Sequence, residues 1–373
     1  MIDIQNKSDC CGCGGCVQRC PQGCITMKED ENGFLYPHVN QDACVDCHLC
    51  EHVCPVINEG EKRETQACLA ATHPDDAIRT ASSSGGIFSV FAHRVIGDGG
   101  VVFGARFDEK WAVIHDVADT IDKVNAFRGS KYVQSVMGDS FEKAESFLKQ
   151  GREVLFTGTP CQIAGLKRFL NKDYPNLITV EIACHGVPSP GVWRDYLGMK
   201  GKDGVVKKVN FRDKSTGWRN YSVVIGNRAK PHDDDDYMAC FLANYTMRPS
   251  CFTCPFKTGK SGADILIADL WGAEKMPIIK VNDNKGISAV LVYSDRGRSF
   301  LEKCEMNMTE VDVNSVLKHN RSIVESAVKP ADYGVFWRKY CKRPMWTLRR
   351  YGTLTMPKLI VRAKRTVARL IRR

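Results

Sequence analysis

No run of apolar residues in this chain is long enough to cross a membrane; the longest, such as residues 287–293, stop far short of the twenty or so that a bilayer requires. The start lacks a basic segment followed by an apolar one, so export is not expected and the expected location is the cytoplasm. Acidic residues are missing from the last stretch: residues 342–373 hold eleven Lys and Arg and no Asp or Glu. The formal net charge is +10, so the preceding 341 residues sum to about −1. That distribution excludes a basic body gripping nucleic acid along its length, and no nucleic-acid partner is expected. At 373 residues, 43% hydrophobic and 26% charged, the chain can fill two or three globular domains. Its 18 cysteines are out of proportion. A disulfide scaffold is ordinarily short, so thiolates bound to metal in a reducing compartment fit better.

Eight of those cysteines form a code. Cys10-x2-Cys13-x2-Cys16-x3-Cys20-Pro21 is repeated as Cys44-x2-Cys47-x2-Cys50-x3-Cys54-Pro55. This is the spacing of two-cluster bacterial ferredoxins, in which the fourth Cys of each run ligates the other cluster. Three close thiolates wrap three corners of a cubane, and the fourth begins a turn that leads away. The assignment is Cys10, Cys13, Cys16 and Cys54 for one [4Fe-4S] cluster and Cys44, Cys47, Cys50 and Cys20 for the other. Zinc knuckles also use C-x2-C, but the doubled run with its prolines argues against them. Cys11 and Cys24 fall outside the code and read as spare thiols. Between the runs, "ITMKEDENGFLYPHVN" reads as a hairpin with Asn32-Gly33 at its turn. The module covers residues 1–57, and the polar "NEGEKRETQ" follows as a linker.

The body carries three notable loops. "ASSSGGIFSVFAHRVI" sets Ser83, Ser84, Gly85 and Gly86 before a helical stripe of Ile87, Val90, Phe91 and Val95. Such an entry offers amides and hydroxyls to a phosphate, or is a plain helix cap. "EVLFTGTPCQIAGLKRFL" and "LITVEIACHGVPSPGVWRDYL" each read as strand, loop, helix. Two such units imply a parallel sheet with both loops at the strands' carboxyl ends, where open α/β sheets bind ligands. Cys161 and Cys184 then share one sheet edge. "RPSCFTCPFK" adds Cys251-x2-Cys254, two corners of a metal site that needs two more, which Cys161 and Cys184 can supply. A redox dithiol or buried thiols are the alternatives. His185 reads as a loop hydrogen-bonder, and Cys68, Cys240, Cys304 and Cys341 read as core thiols.

Together "SSSGGIFS", "FRGSKYVQS", "FTGTPCQIAGLKRFL", "CHGVPSP", "FRDKSTGW", "RPSCFTCPFK" and "DILIADLWG" make the chain resemble the family of coenzyme F420 hydrogenase and dehydrogenase beta subunits. The stretch "ADILIADLWG" departs slightly from the family's Ser-Asp-Ile-Thr-like start. The resemblance covers roughly residues 65–330, with residues 65–145 as the N-terminal part of that domain and 146–335 as its C-terminal part. It implies FAD, with Ser83, Ser84, Gly85, Gly86, Gly129, Ser130, Lys131, Tyr132, Thr157, Gly158 and Thr159 in the matching flavin surroundings. It also implies a third [4Fe-4S] cluster on Cys161, Cys184, Cys251 and Cys254. The expected fold is an α+β ferredoxin-like N-terminal module followed by an α/β flavin-binding body with a partly parallel sheet. The expected function is an iron–sulfur flavoprotein oxidoreductase passing electrons between clusters, FAD and an organic substrate such as coenzyme F420. Its partners would be a redox protein or ferredoxin and a small-molecule substrate. No residue is singled out as acid or base, so the catalytic residues stay unknown.

Two other classes compete: a non-catalytic electron-transfer protein relaying electrons to a partner, and a metal-bearing nucleic-acid binder suggested by the tail alone. In residues 342–373, Leu359, Ile360, Ala363, Val367, Leu370 and Ile371 share a helical face beside Lys364, Arg365, Arg369, Arg372 and Arg373. A basic amphipathic helix can lie peripherally on the inner face of a membrane, or pack on the body with a solvated basic side.

Overall fold

The computed structural model describes residues 1–201, 206–280 and 283–353. The apolar tail face expected at residues 359–371 lies outside the described residues. No helix among those described is long and apolar enough to cross a membrane.

The first module holds a hairpin of β1 (Ile25–Glu29) and β2 (Leu35–Val39), paired antiparallel with Met27 opposite Pro37. Gly33 takes φ +78° in the turn, as the Asn-Gly signal requires. The body is built on a sheet of eight strands. Its members are β3 (Ala67–Thr72), β4 (Val101–Phe107), β5 (Val113–Ala118), β6 (Val154–Gly158), β7 (Leu177–Ile182), β11 (Ile265–Asp269), β12 (Ser288–Val292) and β13 (Asn307–Glu310). Their order is β13-β3-β12-β11-β7-β6-β4-β5. The four central strands β11, β7, β6 and β4 run parallel, and antiparallel strands flank them on both sides. A separate antiparallel sheet of β8 (Val209–Asp213), β9 (Ser222–Ile225) and β10 (Arg228–Pro231) stands beside it.

Central strands buried on both faces explain the runs of Val, Leu, Ile and Phe. Leu155 and Val180 face the helix Ile87–Gly97, where Ile87, Val90, Phe91 and Val95 are all buried. Phe103 and Phe156 stack on the other face against Phe141, Ile163 and Phe169. Each such side chain contributes about 1.5–3 kcal/mol by leaving water, so the three layers hold the strand ends rigidly. A third core of Trp193, Tyr196, Phe211, Tyr237, Phe336 and Trp337 lies under the small sheet. Cys68, Cys240 and Cys304 are core thiols as expected. Cys341 is not: the helix Tyr333–Lys342 buries Tyr333, Phe336, Trp337 and Tyr340, and Cys341 falls off that stripe into solvent.

The cysteine module is packed into the body rather than strung from it. Phe141 donates its amide to Gln18 Oε1 at 2.8 Å, Arg19 bonds the carbonyl of Phe169, and Gly191 donates to Gly33 O at 3.2 Å. A Cβ on Gly33 would lie 2.5 Å from Gly191 Cα, a backbone atom that cannot swing aside. Gly23 also has positive φ, +58°, but open space around it. Gly23→Ala should therefore cost only the left-handed penalty of about 1–3 kcal/mol, and Gly33→Ala clearly more. Thermal melts of the two variants check this; equal losses would mean that the hairpin does not bear on the body.

Candidate metal centres

The two cysteine loops share one backbone. Gly12 and Gly14 take φ +73° and +71° in the first; Asp46 and His48, two residues without glycine's freedom, take +49° and +58° at the matching places in the second. Alternating left- and right-handed residues turn successive amides toward a common centre, a geometry suited to anionic sulfur. Each loop runs into a short helix, Gly15–Arg19 or Leu49–His52. Cys20 caps the first helix and joins Cys44, Cys47 and Cys50 around one cavity, with Cys24 as a fifth thiol 3.4 Å from Cys20. Burial pushes Cys16 up to about 12, helped by Cys10, Cys54 and Cys50 nearby. Cys54 is raised by burial too, again with Cys10 and Cys50 adding to it. Cys13 packs on the helix Pro160–Leu170, where a Cβ on Gly165 would come within 3.0 Å of its Sγ.

The second group meets at the sheet edge. Parallel pairing of β6 and β7 brings the loops after them side by side. Cys161 stands in the first turn of Pro160–Leu170, whose start is fixed by a Thr159–Gln162 capping box. Cys184 follows β7, Cys251 lies in the 3-10 turn Pro249–Thr253, and Cys254 ends that turn. All four line a cavity of about 160 Å³, with Cys11, His185 and Lys257 also on its wall. His185 bonds Asn244 at 2.7 Å. Among the described residues no three His, Cys, Asp or Glu side chains stand close enough to chelate a single ion. The thiols ring a hollow instead, and the all-sulfur donor set with a cavity at its centre fits a cubane. Val187 donates its amide toward Cys251 Sγ at 3.5 Å, as a bound thiolate would need.

Cys11 is the residue that spacing left out. It is buried, bonds the thiols of both Cys13 and Cys161, and so links the first loop to the third group. Its doubling with Cys10 in "CCGC" was the only signal in the sequence, and it does not say which way the side chain points.

The stretches expected around a flavin meet in part. Ser130 donates its amide to Ser83 Oγ at 2.7 Å, and their hydroxyls lie 3.0 Å apart. Ser84 bonds Ile287 O, and the Gly85 amide bonds Ser288 Oγ. Gly86, at φ +89°, starts Ile87–Gly97 with no side chain capping it. Thr157 is tied through His115 to Ser135, beyond the residue 129–132 stretch, and Thr159 Oγ1 lies 3.2 Å from Cys161 Sγ. Gly158 ends β6 between these two threonines, its carbonyl edge at the same loop. Lys131 turns inward: its ammonium bonds the carbonyls of Phe127, Arg128 and Gly129, and burial lowers it to about 7. These three bonds organise the turn at Gly129. Tyr132 packs its ring on Phe241 and accepts the Tyr237 hydroxyl at its carbonyl.

Without metal, the ringed thiols are held protonated. Burial raises Cys184 from 9.0 to about 12 and Cys254 to about 11, and neighbouring thiols add to both. Unfolded thiols ionise near their ordinary value, so between about pH 9 and about pH 12 the unfolded chain binds fewer protons than the folded one. The stability of stripped protein should fall as pH rises through that window. Metal-loaded protein, whose ligands are already deprotonated, should fall less. Thermal unfolding at several pH values, with and without a chelator, checks this; parallel curves would refute it.

Comparison with known proteins agrees with this layout. Residues 151–315 match the family described as the C terminus of the coenzyme F420 hydrogenase/dehydrogenase beta subunit, and residues 9–58 match a 4Fe-4S dicluster domain. The F subunit of the F(420)H(2) dehydrogenase of Methanosarcina mazei is 27% identical over 178 residues, 43% of this chain and 49% of that protein. A coenzyme F420-dependent sulfite reductase of Methanocaldococcus jannaschii is 25% identical over 195 residues, 50% of this chain and 29% of that protein. The chain thus spans about half the length of the first relative and under a third of the second. A chain in a structure of the F420-reducing [NiFe] hydrogenase complex from Methanosarcina barkeri overlaps 78% of this chain and 91% of its own, at 18% identity and a TM-score of 0.47. A dicluster module at residues 9–58 thus precedes a region, residues 151–315, that matches the C-terminal domain of coenzyme F420 hydrogenase/dehydrogenase beta subunits.

Proposed function

We propose that the chain is an iron–sulfur flavoprotein oxidoreductase, moving electrons through three [4Fe-4S] clusters to or from FAD and an organic substrate with a reducible ring, coenzyme F420 being the leading candidate. The observation that carries this reading is the position of the third thiol group. Cys161 touches Cys11 of the first loop on one side and Thr159 of the proposed flavin stretch on the other. Residues 1–57 would hold two clusters, on Cys10, Cys13, Cys16 and Cys54 and on Cys44, Cys47, Cys50 and Cys20. Residues 65–335 would hold the third cluster and the flavin.

Cubanes supply one-electron exchange and FAD supplies exchange of a hydride with substrate. The chain's own part is placement. Backbone amides of the cysteine loops face the sulfurs, and layers of aromatic and aliphatic side chains keep water from the inner thiols. The Ser83–Ser130 contact would fix the loops around the flavin, with the uncapped start of Ile87–Gly97 toward its phosphates. Cys47 is exposed, with Val45 61% and Leu49 40% exposed beside it, which suits that edge to a redox partner protein. A second reading is favoured by the Methanosarcina mazei relative's designation as one subunit of a dehydrogenase: the chain would relay electrons to a partner without meeting an organic substrate.

Purification under nitrogen should give about twelve irons per chain, from three cubanes, together with flavin absorption; zinc without flavin would sink the proposal. Turnover with a reduced deazaflavin, or reduction of one by reduced ferredoxin, is then expected. Clusters that accept electrons from ferredoxin while every organic substrate stays unreacted would select the relay. Gly165→Leu, which pushes Cys13 off its seat, should lower iron to about eight per chain, the content of two cubanes, while the flavin band persists. Unchanged iron would remove Cys13 from the ligand set.

A further inference from the structure

Arg248 is fully buried, at 0% exposure, and it lies between the first cysteine loop and the third thiol group. Its amide donates to Val187 O and its carbonyl accepts the Cys251 amide, both at 3.0 Å, so its backbone builds the turn that carries Cys251. Its side chain reaches the other way. Nε donates to Cys10 O at 2.7 Å, and Nη2 to Leu35 O at 3.0 Å and to Cys10 Sγ at 3.5 Å. Nη1 donates to the neutral Gln134 at 3.0 Å. The guanidinium lies 4.1 Å over the ring of Tyr36. None of these partners is a carboxylate. A buried cation without a counter-charge is costly, and the groups around this one that can carry negative charge, once metal is bound, are the sulfurs of Cys10, Cys11 and Cys251. The second loop has no equivalent: the described residues lining its cavity include no Arg or Lys, and the Met1 ammonium on its wall is already paired with the carboxylates of Asp46 and Glu51.

We propose that Arg248 is the buried counter-cation of the first cluster, and that its charge and its N–H toward Cys10 sulfur make that cluster easier to reduce than the second. Reduction adds a negative charge, which a nearby guanidinium stabilises, and hydrogen bonds to sulfur act in the same direction. The first cluster then becomes the resting place for an electron beside the third group, while the second stays the more reducing outer one. This rests on the proposed three-cluster reading.

The test is a redox titration of the full, cluster-loaded chain, followed by electron paramagnetic resonance, with iron measured in each sample. Absence of cluster signals in the wild type would overturn the three-cluster reading itself. With clusters present, Arg248→Met is expected to make one signal at least tenfold harder to reduce, 59 mV for a one-electron couple, with the second cluster's signal unmoved. An unshifted signal at full iron, or an equal shift of all signals, overturns the assignment. If Arg248→Met loses iron, Gln134→Glu decides, since it keeps Arg248 and sets a carboxylate against Nη1. The same signal should shift in the same direction. An unchanged potential, or loss of the cluster from so small a change, would mean that Arg248 is only a clamp.

Discussion

The arrangement of this chain depends on how closely its first cysteine loop approaches the body. Three contacts set that distance, and each requires the absence of a side chain. Gly12 leaves room for the Arg248 guanidinium and Gln134, Gly165 for Cys13, and Gly33 lies against Gly191. Elsewhere a module joined by a polar linker would be free to move. Here backbone meets backbone, and the thiols of Cys11 and Cys161 are brought into contact. Electron tunnelling needs short, fixed separations, and close packing is the means by which a protein keeps them fixed. The cores on both faces of the eight-stranded sheet serve the same end, since they hold the loops after β6 and β7 in register.

Burial opposes the ionised form of Cys16, Cys54, Cys184, Cys251 and Cys254, and neighbouring thiols add to the opposition. A bound metal reverses that balance by supplying positive charge, which makes metal binding and folding one linked process. Arg248 brings the only guanidinium seen to contact a loop thiol of the first group, among the described residues. Lys257, on the wall of the third cavity, is engaged instead with the carbonyls of Cys184 and Ser322.

Much of this was legible in the residues themselves. The Asn32-Gly33 hairpin, the two strand–loop–helix units and the meeting of Cys161, Cys184, Cys251 and Cys254 at one edge all follow from short-range patterns. Asp46 and His48 were not legible as left-handed residues, because Asp and His adopt that conformation more often than most side chains but only where a loop imposes it. Arg248 and Cys11 were missed for a different reason: their significance lies in contacts across more than a hundred residues of sequence. Cys341 was misread because apolar character was taken for burial, whereas the helix stripe ends one residue earlier at Tyr340. A partly parallel sheet was expected, but which strands flank it antiparallel was not legible, since β3 and its neighbours carry no loop motif.

The position of β3 has a consequence for how the chain comes into being. It pairs on both sides with strands far downstream, Ala70 with Ala289 of β12 and with Thr309 of β13. A ribosome adding 5–20 residues per second needs roughly 10–45 s to make the intervening segment. Throughout that interval β3 has no neighbour, the inner wall of the sheet is open, and the early cysteine loops have emerged without the surface that later buries them. The nascent chain is thus most exposed to oxygen and to stray metal while the eight coded thiols of its first module are out and their shelter is not.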